Sequence, residues 1–322
     1  LVSNDLDINY ELLKTTDGGA TWTKVTNIIQ ATNRYTDLYL VDANQGFVTD
    51  LFGDVYLTND GGGSWQTVRW TGSTIHITAI HFFDANHGWA VGHEDSWPLD
   101  MLRTTDGGQH WSKLTGGGND VEFVTADKGF IADIDGVRRS TDGGYNWTPS
   151  YISPKAIDPT PTPTQIPAIP MNGIDFVSEN EGWVVGNNGL IIHTINSGDS
   201  WQEQSSGTNQ NLFEVDFVDA NNGWVIGAAG AILHTTNGGS DWSPQSSPVA
   251  VDLHGLYFLN SQTGWIGFPD GVLKTTDGGA HWNKIGTGIT FQVRSIQFLD
   301  ANKGFLVSND LDINYELLKT TD

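Results

Sequence analysis

Three arginines, Arg34, Arg69 and Arg294, are the first residues whose type and spacing could do chemistry. Each is expected just before or at the start of an inner strand, in three consecutive repeats, so that their guanidinium groups would converge at one opening. A guanidinium grips a carboxylate through two parallel N–H···O bonds, and a trio of them could hold an acidic sugar. Hydrolysis at such a site also needs a nucleophile and a general acid, such as a Tyr–Glu pair with an Asp, and no such set is readable. Without that support the trio reads first as structural or surface arginines. Trp70 and Trp97 are the two tryptophans outside any repeated motif, which makes them candidate stacking platforms for a sugar. Asp95 and Asp100 lie near Trp97 and could supply the paired carboxylates of a glycosidase. The chain is so rich in acids that the choice of a pair is arbitrary. His76, His81, His87 and His93 share one repeat, but their separations scatter them over different strands and turns, so no metal site is expected. Asp5, Asp7, Asn9 and Glu11 alternate as in a calcium loop, without the glycine of its sharp turn or its later bidentate Glu. No phosphate loop, dinucleotide fingerprint, nucleophile elbow or zinc-protease helix is present. The expectation is no catalytic residue, no metal and no cofactor.

Composition narrows the partners. The 322 residues carry 15 Lys+Arg against 38 Asp+Glu, a formal net charge of −23. That balance argues against nucleic acid, which needs clustered cations. No apolar run reaches the eighteen or so residues of a membrane-spanning helix. Cysteine is absent and only two methionines occur, so disulfides and thiol chemistry are excluded. Together these counts point to an extracytoplasmic setting: secreted, periplasmic or on the cell surface. The first residues show neither basic nor apolar leader character, so a leader is expected to be absent or already removed.

What must position any site is a repeat. The phrase T-x-D-G-G-x-x-W recurs seven times, pairing Asp17 with Trp22, Asp60 with Trp65, Asp106 with Trp111 and Asp142 with Trp147. It continues with Asn196 and Trp201, Asn237 and Trp242, and Asp277 and Trp282. Its parts have mechanical roles. The carboxylate or amide accepts N–H groups of its own turn, the glycines allow positive φ, and the indole folds over the turn. A Gly-aromatic pair precedes the copies, at Phe47, Trp89, Phe130, Trp183, Trp224, Trp265 and Phe305, and an alternating strand precedes each pair. Four strands per unit and seven units predict an all-β, seven-bladed propeller of four-stranded antiparallel blades, one domain over 1–322. The position before the box Thr is Lys14, Leu57, Arg103, Arg139, His193, His234 or Lys274. It is read as blade-to-blade pairing.

The strand pair and box, best seen in GWVVGNNGLIIHTINSGDSW (182–201) and GWVIGAAGAILHTTNGGSDW (223–242), are the Asp-box (BNR) pattern and resemble the photosystem II assembly and stability factor family. That resemblance implies a seven-bladed propeller acting as a chaperone of reaction-centre subunits. The repeats differ where function could sit. The hairpins between second and third strands are long at 93–100 and 3–11, and the Pro-rich insertion 148–170 holds seven of the eleven prolines. All are placed on one face. That face is expected to bind a protein or surface partner without catalysis, with a sialidase-like or other glycoside hydrolase or carbohydrate-binding propeller as the alternative. Residues 1–17 recur identically as 306–322. The ring is therefore expected to close by mixing N- and C-terminal strands, and the surplus copy to be displaced or to pair with a second molecule by strand swapping.

Overall fold

Alternation along each inner strand decides the architecture. In Tyr35–Leu40, Leu212–Phe217 and Gln292–Phe298, Leu38, Val215, Phe217, Val293, Ile296 and Phe298 are buried between blades while the polar residues beside them are partly accessible, close to the two-residue period of a strand packed on one side. The computed structural model describes residues 11–26, 28, 34–69, 76–93, 100–152, 169–286, 289 and 292–309. Among them lie seven four-stranded antiparallel sheets. Blades one to six occupy 35–69, 76–115, 120–152, 171–204, 212–244 and 254–285, each in the order inner to outer. Blade seven takes its two inner strands, Gln292–Phe298 and Gly304–Asn309, from one end of the chain. Its two outer strands, Glu11–Thr15 and Thr23–Lys24, come from the other. The joint is antiparallel, with Leu12 opposite Val307 and Leu13 opposite Leu306. Each inner strand contacts the inner strand of the next blade, and the circle closes from Gln292–Phe298 to Tyr35–Leu40. The result is a seven-bladed β-propeller.

The Gly-aromatic motif explains how blades stack. A Cβ on Gly88, Gly129, Gly182, Gly223, Gly264 or Gly304 would fall 2.4–2.6 Å from the ring of the inner-strand Phe. Only glycine lets that ring lie across the strand pair. The aromatic that follows reaches the next blade. Trp89 stacks on Phe123, Trp183 on Phe217, Trp224 on Phe258 and Trp265 on Phe298, each with ring centroids 3.6 Å apart. The same indoles donate N–H bonds to the carbonyls of Gly143, Gly238, Gly278 and Gly18, in the neighbouring box turn. All four Trp are fully buried. Each box Trp then meets the Phe edge-on, as Trp242 does Phe217 and Trp282 does Phe258 at 5.8 Å. Neighbouring blades thus share one aromatic core.

Candidate functional site

The box turns line one face of the ring, and their chemistry is structural. In the turn after Thr58, its hydroxyl donates to Asp60 Oδ1 at 2.8 Å and accepts the N–H of Gly62 at 2.9 Å. Asp60 in turn accepts the N–H of Ser64 and, on its other oxygen, the Ser64 hydroxyl. Asp17 and Asp277 repeat this with Thr21 and His281. These bonds, the side-chain one first, lower the carboxyl pKa of Asp17, Asp60 and Asp277 to about 2. Asn196 and Asn237 make the equivalent backbone bond to residues 200 and 241, so amide serves where carboxylate does. The residue before the box Thr reaches across blades. Lys14 Nζ donates to Gly61 O, Lys274 Nζ to Gly18 O and Arg139 Nη1 to Ser197 O. For these three the partners are carbonyls, with Asp199 an added carboxylate for Arg139, whereas His193 meets the Glu181 carboxylate of its own blade.

The other end of the ring is different. Where the inner strands begin, a cavity of about 450 Å³ opens into the central channel. Thr36, Thr78, Asn119, Asn172, Phe213, His254 and Arg294 occupy the same strand position in the seven blades and form its rim. Phe213 and His254 stack nearly parallel, with centroids 4.8 Å apart. Just inside lie Asp37, Asp120 and Glu214. Two residues further along each strand comes a second tier: Tyr39, His81, Glu122, Asp175, Asp216, Tyr257 and Gln297.

These side chains lace the ring together. Asp37 accepts the N–H of Ile80, Asp120 that of Ile174, Asp175 that of Phe217 and Asp216 that of Phe258. Glu214 accepts both Gly255 and Leu256, each at 2.7 Å, and Gln297 accepts Leu40. Tyr39 donates its hydroxyl to Phe82 O. Every one of these bonds crosses a blade boundary. Burial raises the carboxyl pKa of Asp37 to about 6 and of Asp120, Asp175 and Glu214 to about 7. Burial and then the charge of Asp175 push Glu122 and Asp216 well above the usual carboxylate range. Burial also lowers His81 and His254 to about 4, so both are neutral imidazoles at neutral pH. Arg294, beside Glu214, is the one guanidinium at the rim among the described residues.

The three sequence-selected arginines do not share that rim. Arg294 lies in an inner strand and lines the cavity. Arg34 precedes an inner strand, and its carbonyl accepts the N–H of Leu51. Arg69 closes the outer strand Gln66–Arg69 of blade one. The expected placement of Arg69 at an inner strand is therefore corrected, because residue 69 ends strand four of this blade and the next inner strand starts only at His76. Trp70, Trp97, Asp95, residues 1–10, most of the Pro-rich insertion and residues 310–322 lie outside the described residues. Among the described residues no His, Asp and Glu converge as a metal-holding group, and no helix is long and apolar enough to cross a membrane. The only sequence signal of the channel carboxylates is an acid one or three positions before the last apolar residue of an inner strand, in a chain already full of acids.

Comparison with known proteins adds a family. The family described as photosynthesis system II assembly factor YCF48 matches residues 114–206 and 199–309. The photosystem II assembly lipoprotein Ycf48 of Synechococcus sp. (strain CC9902) is 30% identical over 132 residues, covering 38% of this chain and 35% of the relative. A xyloglucanase of Paenibacillus sp is 26% identical over 161 residues, covering 45% of this chain and 15% of that enzyme. This chain thus spans about a third or less of either relative's length. The solved structure of YCF48 bound to a D1 peptide superposes with a TM-score of 0.66 at 20% identity, covering 95% of this chain and 96% of that one. At that identity the likeness is one of fold.

Proposed function

The chain belongs to the family of the photosynthesis system II assembly factor YCF48, and from that premise we propose that it is a non-enzymatic scaffold holding a segment of a partner protein at the mouth of its channel. The observation that carries the reading is the cavity at the start of the inner strands, walled by a polar rim and the Phe213–His254 stack. Asn119 and Asn172 are pinned through their amide N–H groups to the carbonyls of Met171 and Leu212. The side-chain oxygen of Asn172 at the rim suits an N–H group of an extended peptide. Exposed Phe52 and Ile134 sit at hairpin tips on this same face, and Val251 on the connection entering blade six. Such exposed apolar groups around a concave opening mark a protein contact. The structure of the relative carrying a D1 peptide supports a peptide as the kind of ligand. The lipoprotein name of the Synechococcus relative supports an extracytoplasmic place.

Glycoside hydrolysis is the second reading, favoured by the xyloglucanase relative. Against it, the channel carboxylates are tied to backbone N–H groups across blade boundaries, where they cannot swing onto a sugar. Peptide display on the intact chain tests the choice. Binders are expected that lose affinity in Phe213→Ala and keep it in Ile195→Ser, on the box face. A glycan array showing saturable binding, with no mouth-directed peptide recovered, would reverse the assignment.

A further inference from the structure

Building on the mouth as a protein-binding site, we infer that the channel beneath it receives a cationic side chain, a lysine or arginine of the bound segment. Six carboxylates face the channel in two tiers, Asp37, Asp120 and Glu214 above and Glu122, Asp175 and Asp216 below, against the single guanidinium of Arg294. Five of the six hand at least one oxygen to a backbone N–H of the next blade through bonds described above, and Phe176 N–H does the same for Glu122. The second oxygen of Glu122 is the exception that points to a ligand. Oε2 has no solvent access and no hydrogen-bond partner among the described residues. A buried acid oxygen without a partner is costly, and an ammonium or guanidinium N–H would satisfy it while drawing the group into its ionised form.

Geometry selects an organic cation over a metal ion. Among the described residues the acids do not converge on one point as metal ligands must. They are spread around a ring and over two tiers, about 7 Å apart for two residues of strand. A lysine or arginine stem spans that depth, with its methylenes against the Phe213–His254 wall and its head among the lower carboxylates. The neighbours offer no competing charge, since His81 and His254 are neutral, Tyr39 and Tyr257 are held protonated by burial, and Arg294 stays at the rim beside Glu214.

The test uses the full chain and three capped pentapeptides, Ac-Ala-Gly-Xaa-Gly-Ala-amide, with arginine, citrulline or glutamate as Xaa. Binding is read from backbone amide NMR shifts of residues 213–215 and 254–256. The arginine peptide is expected to bind, with the citrulline peptide about tenfold weaker and the glutamate peptide weaker still. Arginine affinity should rise from pH 6 to pH 8 as the carboxylates ionise, while citrulline affinity stays flat. Glu122→Gln should weaken the arginine peptide alone. Asp175→Asn, which keeps an acceptor for Phe217 N–H, serves as the second variant should the first not fold. Equal binding of arginine and citrulline at the mouth overturns the cation and leaves the protein-binding reading intact. Shifts elsewhere, or none, overturn both, and unchanged arginine affinity in both variants overturns the lower tier as its seat.

Discussion

At the scale of the residue, the same side-chain type does opposite things at the two ends of the ring. A box aspartate is surrounded by donors and held ionised, whereas a channel aspartate is short of water and keeps its proton to higher pH than usual. Their effects on stability therefore run in opposite directions with pH. The channel acids Asp37, Asp120, Asp175 and Glu214 have folded pKa values of about 6 to 7 against unfolded values of about 4. Between those limits the folded state binds more protons, so stability falls as pH rises from about 4 through 7. Asp17, Asp60 and Asp277, lowered to about 2, contribute stability that is lost as pH falls below 4. The melting temperature is predicted to peak near pH 4 to 5, and a peak at pH 7 or above in a calorimetric series would refute this assignment. The box was legible in the sequence because its bonds are local, within four residues. The channel was not, because Asp175 meets Phe217 forty-two residues away, and sequence spacing alone carries no sign of that contact.

At the scale of the element, the interlock of Gly, Trp and Phe sets the energy of the blade boundary. Trp224 combines a stack on Phe258 with an N–H bond to Gly278 O. Replacing it by Phe keeps a ring and deletes the bond, at about 1 kcal/mol; Trp224→Ala opens a cavity and costs about 3–5 kcal/mol. Chemical denaturation separates the two, and equal losses would mean that the bond contributes nothing. The hairpins offer a prediction of the opposite sign. Ala229 holds φ 54° and ψ 31° at the tip between the second and third strands of blade five, a left-handed conformation that disfavours a Cβ. Ala229→Gly should stabilise by about 0.5–1 kcal/mol, with no change expected in its bond to Asp252. A lower melting temperature would show that the turn is not strained. Strand order and the Gly-aromatic role were readable because each repeats seven times. Arg69 was misplaced because the border between an outer strand and the next inner one is marked by neither motif.

At the scale of the whole molecule, closure and the mouth belong together, since the rim is complete only when blade seven joins blade one. Both ends of the chain build that blade, and 316–322 repeat the residues of 11–17. Deleting 310–322 is expected to leave melting unchanged. Deleting 1–17 is expected to be offset by 316–322 taking the vacated place beside Gly304–Asn309. Deleting both should lower the melting temperature by several degrees, each lost kcal/mol being worth about 2 °C or less in a domain of this size. If the double deletion melts like the full chain, blade seven does not hold the ring shut. Size-exclusion at rising concentration reports whether a second copy can offer the same segment, which should stay minor while a chain's own copy is at hand. Blade number followed from counting boxes, but no count could say which end of the ring carries a cavity. The most direct test is a photo-crosslinking benzophenone at Phe213 and, separately, at Ile195, each challenged with the display-selected peptide. Crosslinking at 213 and none at 195 is the predicted result; crosslinking at 195 with none at 213 would contradict the assignment of the channel mouth as the binding site.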